Sequence, residues 1–239
     1  MSNTDTKEYR VEPIESKQTE QWLLYKHYAR RKCPIIYAYG LFNKEKHLEG
    51  VITFGMPTVQ MNDGKCIFNT YRVRTLELNR LVVNEGLGKN VLSFFVAHTI
   101  KQLPRPLCLV SFADPYNGHN GYIYQATNWL YTGMSEKGGK NKTYIFDRRN
   151  YHGKTITVDW IKERFGKYDE TKSLPDNCRM NGGIVEDFGT KHRYVMFLGN
   201  EKDKKDMLND TVYKFYPYPK GVNRRYDASY EIKEENSLF

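Results

Sequence analysis

Cysteine is scarce in this sequence. Cys33, Cys66, Cys108 and Cys178 lie far apart and make no Cys-x-x-Cys pair, which argues against a zinc knuckle or a disulfide framework. Cys108, inside the apolar run LCLVSF, reads as a small buried hydrophobe. No apolar stretch follows the charged start, and no hydrophobic run reaches bilayer-spanning length. The expectation is a soluble, intracellular protein with no membrane partner. Internal repeats and low-complexity tracts are also missing, which excludes array architectures. Acidic residues are outnumbered: 28 Asp and Glu against 37 Lys and Arg give a formal net charge of +9. Such a surface attracts phosphate polymers through counterion release, so nucleic acid is the first partner to consider, ahead of anionic lipid or an acidic protein.

What is present suffices for one large domain, or one domain with a sizeable appendage. Tyrosine is abundant, with 19 residues, and offers a stacking face with a polar tip at wet interfaces. Residues 1–17 are polar and predict a loose lead-in. QTEQWLLYKHYARRK then predicts a helix ending before Pro34, and IIYAYGLF with LEGVITFGM predicts a hairpin across NKEKH. TLELNRLVV reads as a strand. After NEGLGKN comes a strong amphipathic helix, VLSFFVAHTIKQL, with Leu92, Phe95, Val96, Ile100 and Leu103 spaced by three and four until Pro104 stops it. LCLVSF predicts a strand and GYIYQATNWL a helix, with Ile123, Ala126 and Leu130 at helical spacing. WLYTGM and KTYIFDRR predict strands across the basic loop SEKGGKNK. Beyond residue 150 the pattern weakens to a helix in TVDWIKERFG, a strand in KHRYVMFL and an extended tail, TVYKFYPYPKGVNRRYD. The expected division is a lead-in (1–17), a core (18–150) and a basic, tyrosine-rich extension (151–239) packed on that core.

Two segments carry chemistry. NEGLGKN, between a strand and a helix, aims backbone N–H groups and a helix N-terminus at an anion, with Gly86 and Gly88 permitting close approach. The same glycines also serve a plain tight turn. The loop resembles the pyrophosphate loop of GNAT-type acyltransferases, but those carry Arg or Gln three residues before the first glycine, where this chain has Val83. That departure counts against ordinary acyl-CoA binding. The second segment, SFADPYNGHNGYIYQATNWLYTG, sets polar residues at the carboxyl end of a strand, where open α/β sheets bind ligands.

HYARR, ELNRLVVNE, KNVLSFF, SFADPYNGHNGYIYQATNWLYTG and KHRYV, spread over roughly residues 20 to 200, occur in the order seen in the Mom family of bacteriophage enzymes. The chain resembles that family, and the resemblance carries several implications. It implies an α/β, GNAT-like fold: a mixed central sheet flanked by helices, here with a C-terminal extension. It implies transfer of an acetamido-type (carbamoylmethyl) group to N6 of adenine in DNA, protecting phage DNA from restriction in the host cytoplasm, and a requirement for iron, as Fe(II). Tyr28, Arg80, Asp114 and Tyr124 match positions important for activity in the family. Ser93 matches a cofactor contact, and Val82, Gly86, Gly88 and Asn90 complete the candidate donor-binding set.

Each residue admits more than one role. Asp114 suits accepting a proton from the adenine amino group or holding a metal; before Pro115 it also suits a turn or cap. Tyr124 and Tyr28 suit donation to the leaving group, stacking on the base, or packing. Arg80 suits a phosphate, Asp114, a donor carboxylate, or a surface pair with Glu77 or Glu85. His27, Asp114 and His119 are two histidines and a carboxylate, a non-haem iron ligand set, provided the turn folds back and His27 arrives from the first helix. Lys137, Lys140, Lys142, Arg148, Arg149, Lys191, Arg193, Lys220, Arg224 and Arg225 are candidate phosphate contacts, with Tyr213, Tyr216 and Tyr218 as stacking surfaces. The DNA would be double-stranded or transiently unpaired, since N6 chemistry needs an extruded base. Two rival readings are an acetyl-CoA-dependent N-acetyltransferase acting on a protein or small amine, and a non-enzymatic DNA-binding phage protein. The donor stays open, and a homodimer is compatible with the sequence.

Overall fold

The computed structural model describes residues 6–57, 61, 64–135, 142–153, 155–187, 190–221 and 228–231. In chain order the elements are β1 (Arg10–Pro13), β2 (Tyr37–Phe42), β3 (Leu48–Gly55), β4 (Thr75–Val83), α1 (Val91–Gln102), β5 (Leu107–Ala113), α2 (Tyr122–Ala126), β6 (Leu130–Met134), β7 (Lys142–Phe146), β8 (Arg149–His152), α3 (Val158–Phe165), α4 (Leu174–Met180), β9 (Ile184–Asp187), β10 (His192–Leu198) and α5 (Glu201–Asp210). They form two compact units, Met1–Met134 with Lys191–Phe239, and Ser135–Thr190. Among the described residues no helix is long and apolar enough to cross a membrane.

The first unit is built on one sheet ordered β1-β2-β3-β4-β5-β10-β6. Every pairing is antiparallel except β4 with β5. This is a mixed α/β sheet flanked by helices, as the family resemblance implies. Alternation along β5 divides the core: Leu107, Leu109 and Ala113 join Phe95, Val96 and Ile100 of α1, whereas Cys108 and Val110 join Phe68, Val195, Phe197 and Met207 on the opposite face. A further cluster joins Trp22, Leu23, Val51 and Val82. Both faces are covered, so these strands read as nearly continuous apolar runs. Each fully buried large side chain contributes about 1.5–3 kcal/mol.

The second unit is a three-stranded antiparallel sheet, β8-β7-β9, with α3 and α4. Its core is Tyr144, Phe146, Ile156, Ile161 and Cys178. The β7–β8 hairpin turns on Asp147 (φ 49°) and Arg148 (φ 62°), both left-handed as the twist of a two-residue hairpin requires. Thr157 and Ser173 cap α3 and α4 by accepting from Trp160 N and Asp176 N.

Several elements depart from the sequence expectation. Within the lead-in, Arg10–Pro13 pairs with β2, Arg10 opposite Phe42; ladder bonds hold it, because only Val11 gives it an apolar pattern. The first helix ends at Lys26 rather than before Pro34: a 3-10 turn, Ser16–Thr19, runs on through Glu20 and Gln21 into a π-helical turn, Trp22–Lys26, closed by His27 N–H on Trp22 C=O (2.8 Å), after which His27 is extended. That wide turn buries Trp22, Leu23 and Lys26 together. The helix expected through Leu130 stops at Ala126, because Asn128 turns left-handed (φ 60°) and Leu130 opens β6. KTYIFDRR divides at the Asp147–Arg148 turn. The compact units divide at residues 134 and 190 rather than at 150, with β10 and α5 returning to the first unit.

The tail 211–220 is extended, and Tyr216 N–H donates to Tyr131 C=O at 3.0 Å. Residues 228–231 form a clasp. Ala228 N–H donates to the Glu85 carboxylate (3.0 Å), Lys26 Nζ donates to Tyr230 C=O (2.6 Å), and the Tyr230 ring stacks on Tyr25 at 5.0 Å.

Candidate active site

β4 and β5 pair only where Thr75–Glu77 face Cys108–Val110. Beyond that point β4 continues to Val83 and β5 to Ala113, no longer paired to each other. The parted strand ends open a wedge at the carboxyl end of β5. A bulge decides which side chains enter it. Phe54 faces Leu78 and Thr53 faces Arg80, so Asn79 is an extra residue in β4. Leu76 and Leu78 belong to the α1 core, whereas Val82 packs with Trp22 and Leu23 on the opposite face. Arg80, two residues before Val82, is thereby turned to that second face. The Asn79 side chain locks the bulge through Thr53 Oγ1 (2.6 Å), Pro34 C=O (2.8 Å) and Cys33 Sγ (3.5 Å).

Arg80 is 7% exposed, and its Nη1 donates to Asn79 C=O. Among the described residues its Nε and Nη2 have no hydrogen-bond partner, and neither has Arg31 Nε. No ion pair joins Arg80 to Glu77, Glu85 or Asp114 among the described residues, so the surface-pair role is not the one seen. A buried cation in this state is costly.

Asp114 follows β5 and is 3% exposed. The turn does fold back: Asp114 C=O accepts from Asn117 N (3.1 Å) and His119 N (3.0 Å). Its Oδ2 lies 3.2 Å from Asn117 Nδ2 and 3.4 Å from Lys191 Nζ. Tyr28 stacks on His27 (4.4 Å between ring centres) and meets the His119 ring edge-on at 5.2 Å. Burial, and next the Asp114 charge, push the Tyr28 phenol up to about 12, with Arg80 and Arg31 opposing. Tyr28 is therefore neutral at physiological pH and lies within electrostatic reach of the carboxylate and both arginines. Burial holds His27 well below the usual histidine range, with Arg80, His119 and Arg31 adding to it. Burial also lowers His119, against the Asp114 charge.

Tyr124 stands behind this group. Its Oη is 2.7 Å from Ser111 Oγ, which is 2.7 Å from Leu78 C=O across the wedge. Ser111 has one hydroxyl proton and the carbonyl only accepts, so the phenol supplies the proton between the two hydroxyls. Packed against Trp129 (5.2 Å) and Tyr194 (5.1 Å) and 8% exposed, Tyr124 has its phenol pushed up by burial, with the Ser111 bond opposing. The Tyr194 hydroxyl donates to Asn120 C=O and lies 3.1 Å from Gln125 Nε2, tying down the turn. At Gly121 (φ 76°) a Cβ would fall on the Tyr194 ring.

The structure thus brings Tyr28, Arg80 and Asp114 together and sets Tyr124 one layer deeper. Of the donor-binding candidates, Gly86 is left-handed (φ 78°) with open space where a Cβ would sit. Asn90 (φ 70°) caps α1 without a side-chain bond. Gly88 C=O accepts from Val91 N at 3.3 Å. Ser93 Oγ donates to Asn90 C=O at 3.0 Å, and the Val82 side chain is buried with Trp22.

Among the described residues no three His, Cys, Asp or Glu side chains are placed to hold a metal ion. His27 Nδ1 accepts from Ala29 N–H at 3.0 Å, so the neutral ring carries its proton on Nε2, where a metal would need the lone pair. Among the DNA-contact candidates, Lys191 is engaged with Asp114. Arg193 Nε donates to Thr132 Oγ1 (2.8 Å) while its guanidinium lies 3.7 Å over the Tyr213 ring. Lys142, Arg148 and Arg149 are in the second unit, and the two arginines are exposed. Lys137, Lys140, Arg224 and Arg225 fall outside the described residues. Three participants escaped the sequence reading: Arg31, although it lies in HYARR; Ser111, although it opens the polar-turn segment; and Lys191 as a partner of Asp114.

A family model, the Mom protein family, matches residues 8–220. The chain is 29% identical over 220 residues, 90% of this chain and 85% of the relative, to the methylcarbamoylase Mom of Escherichia phage Mu. Similar solved structures include the ribosomal-protein-S5-alanine acetyltransferase from Vibrio fischeri, 9% identical with a TM-score of 0.43, covering 81% of this chain and 94% of that one. Another is the spermidine/spermine N-acetyltransferase SpeG from Vibrio cholerae, 8% identical with a TM-score of 0.42, covering 80% and 94%.

Proposed function

This chain belongs to the Mom protein family, and from that premise we propose that it transfers a carbamoylmethyl group to N6 of adenine in DNA. What supports the reading is the edge-on contact of Tyr28 with His119, in the turn that Asp114 opens, together with buried Arg80 on β4 within electrostatic reach of Tyr28. The relative from phage Mu is a methylcarbamoylase, and this chain too is a transferase.

Adenine N6 is a weak nucleophile because its lone pair is delocalised into the ring. In the proposed step the N6–CH₂ bond forms as the donor's bond to that methylene breaks, and the leaving group departs with the electron pair. The surplus N6 proton passes to the Asp114 carboxylate, which Lys191 and Asn117 hold in one orientation. Neutral Tyr28, backed by His27, supplies a ring face or a hydroxyl for the base. Tyr124 and Ser111 fix the rear wall.

Asp114 and Arg80 are nearly buried, so an adenine stacked in a duplex does not reach them. The base must be extruded or presented on an unpaired strand, at a cost of a few kcal/mol. Arg148 and Arg149 are proposed phosphate contacts. The setting that follows is phage DNA in a bacterial cytoplasm, protected there against restriction. The step uses the chain's own side chains; among the described residues His27, Asp114 and His119 are not grouped as a three-ligand metal site.

The test is mass spectrometry of nucleosides from bacterial DNA after expression of the protein and of Asp114→Ala. A carbamoylmethylated adenosine is expected with the parent and absent with the variant. Unmodified adenosine beside abundant folded parent protein would refute the assignment.

A further inference from the structure

Arg80 Nη1 is anchored on Asn79 C=O, while Nε and Nη2 have no partner among the described residues. Those two nitrogens share one edge of the planar guanidinium, the fork whose parallel N–H bonds match two oxygens of one anion. The side chain is 7% exposed. Arg31 Nε, also buried, is unpartnered as well. The backbone holds the two arginines near each other. Cys33, two residues after Arg31, has its Sγ 3.5 Å from Asn79 Oδ1, and Pro34 C=O accepts from Asn79 Nδ2 at 2.8 Å. Asn79 immediately precedes Arg80. After burial, Arg80 is the largest influence lowering the Arg31 guanidinium, as expected of neighbouring cations. Buried donors are nearly always satisfied, and three unpartnered N–H nitrogens on two neighbouring cations call for a negative partner. Asp114 does not serve, being engaged by Lys191 and Asn117.

We propose that the Nε–Nη2 edge of Arg80, flanked by Arg31 Nε, is a receptor for a two-oxygen anion, a carboxylate or phosphate brought by the group donor or by the DNA strand. The proposal rests on the wedge being the acting site. The bulge at Asn79 sets the fork, and Arg31 supplies a second charge from the segment tethered to Asn79 through Cys33 and Pro34.

The test uses NMR of the full chain labelled at arginine Nε, titrated separately with sodium acetate, inorganic phosphate and a short adenine-containing single-stranded oligonucleotide. Arg80→Lys and Arg31→Lys identify the two resonances. Saturable shifts of both are expected with at least one probe, and Arg31→Gln should weaken that binding about tenfold or more. Acetate acting alone assigns the anion to a donor carboxylate, and inorganic phosphate to a donor phosphate. A response confined to the oligonucleotide assigns it to the DNA backbone. Failure of all three to move the Arg80 signal, or undiminished binding in Arg31→Gln, overturns the proposal. No group is transferred in this experiment, so its outcome stands apart from whether adenine is modified.

Discussion

Tyr28 sits where the charges of Asp114, Arg80 and Arg31 converge, and its hydroxyl and ring separate by substitution. Tyr28→Phe keeps the stack on His27 and should retain more modification than Tyr28→Ala, as nucleoside mass spectrometry would show. His27 supplies a pH dependence. Its folded pKa lies below the unfolded value near ~6.5, so the unfolded chain binds the proton first as pH falls. The contribution is intact above about pH 6.5 and is lost from there down to the depressed value, at up to ~1.4 kcal/mol per pH unit. Urea midpoints measured across that range should fall less steeply for His27→Gln than for the parent. Ser111→Ala leaves Leu78 C=O and the Tyr124 phenol without their shared partner and should cost about 1–3 kcal/mol in the same assay. The polar residues of the turn were legible in sequence because Asp, His and Tyr are unusual between an apolar strand and a helix. Ser111 and Arg31 were not. A serine in an apolar strand and an arginine in a basic run each have ordinary explanations, and only tertiary placement shows that one bridges a wedge and the other faces a second cation.

At the scale of elements, β4 shows what periodicity can and cannot reveal. TLELNRLVV reads as a strand and is one, with the boundaries expected. Strict alternation, however, puts Arg80 on the face of Leu76 and Leu78. Only the register slip at Asn79 turns it to the face of Val82, and a bulge leaves no mark in composition. Asn79→Ala removes the bonds to Thr53, Pro34 and Cys33 that hold the slip. It should lower the modification yield more than it lowers the melting temperature, measured in parallel. The helix α1 was legible to within a residue because three-and-four spacing and Pro104 agree. Short α2 was overextended, because Asn128 can turn left-handed where few residues do. The helix α5 went unread for lack of an apolar stripe, yet Asn200 and Asp203 form a reciprocal cap that the spacing N-x-x-D displays.

For the whole molecule, charge and family likeness led to DNA, whereas the division into units was not visible in sequence. Ser135–Thr190 has its own small core of Tyr144, Phe146, Ile156, Ile161 and Cys178. These residues are spread too thinly along the chain to announce a separate unit, and β10 then returns to the middle of the large sheet. DNA binding by a protein of charge +9 should weaken steeply with salt. Replacing Arg148 and Arg149 together by Ala should make the slope of log affinity against log salt shallower by about 1–2, read by fluorescence anisotropy. Because both are exposed at or beside a hairpin turn, the melting temperature should hardly move.

The contacts of Ala228 with Glu85 and of Tyr230 with Tyr25 and Lys26 bear on how the protein is handled at the bench. They fasten the carboxyl-terminal stretch to the glycine loop and to the turn that leads into Tyr28. A purification handle or fluorescent fusion appended there would tug on both at once.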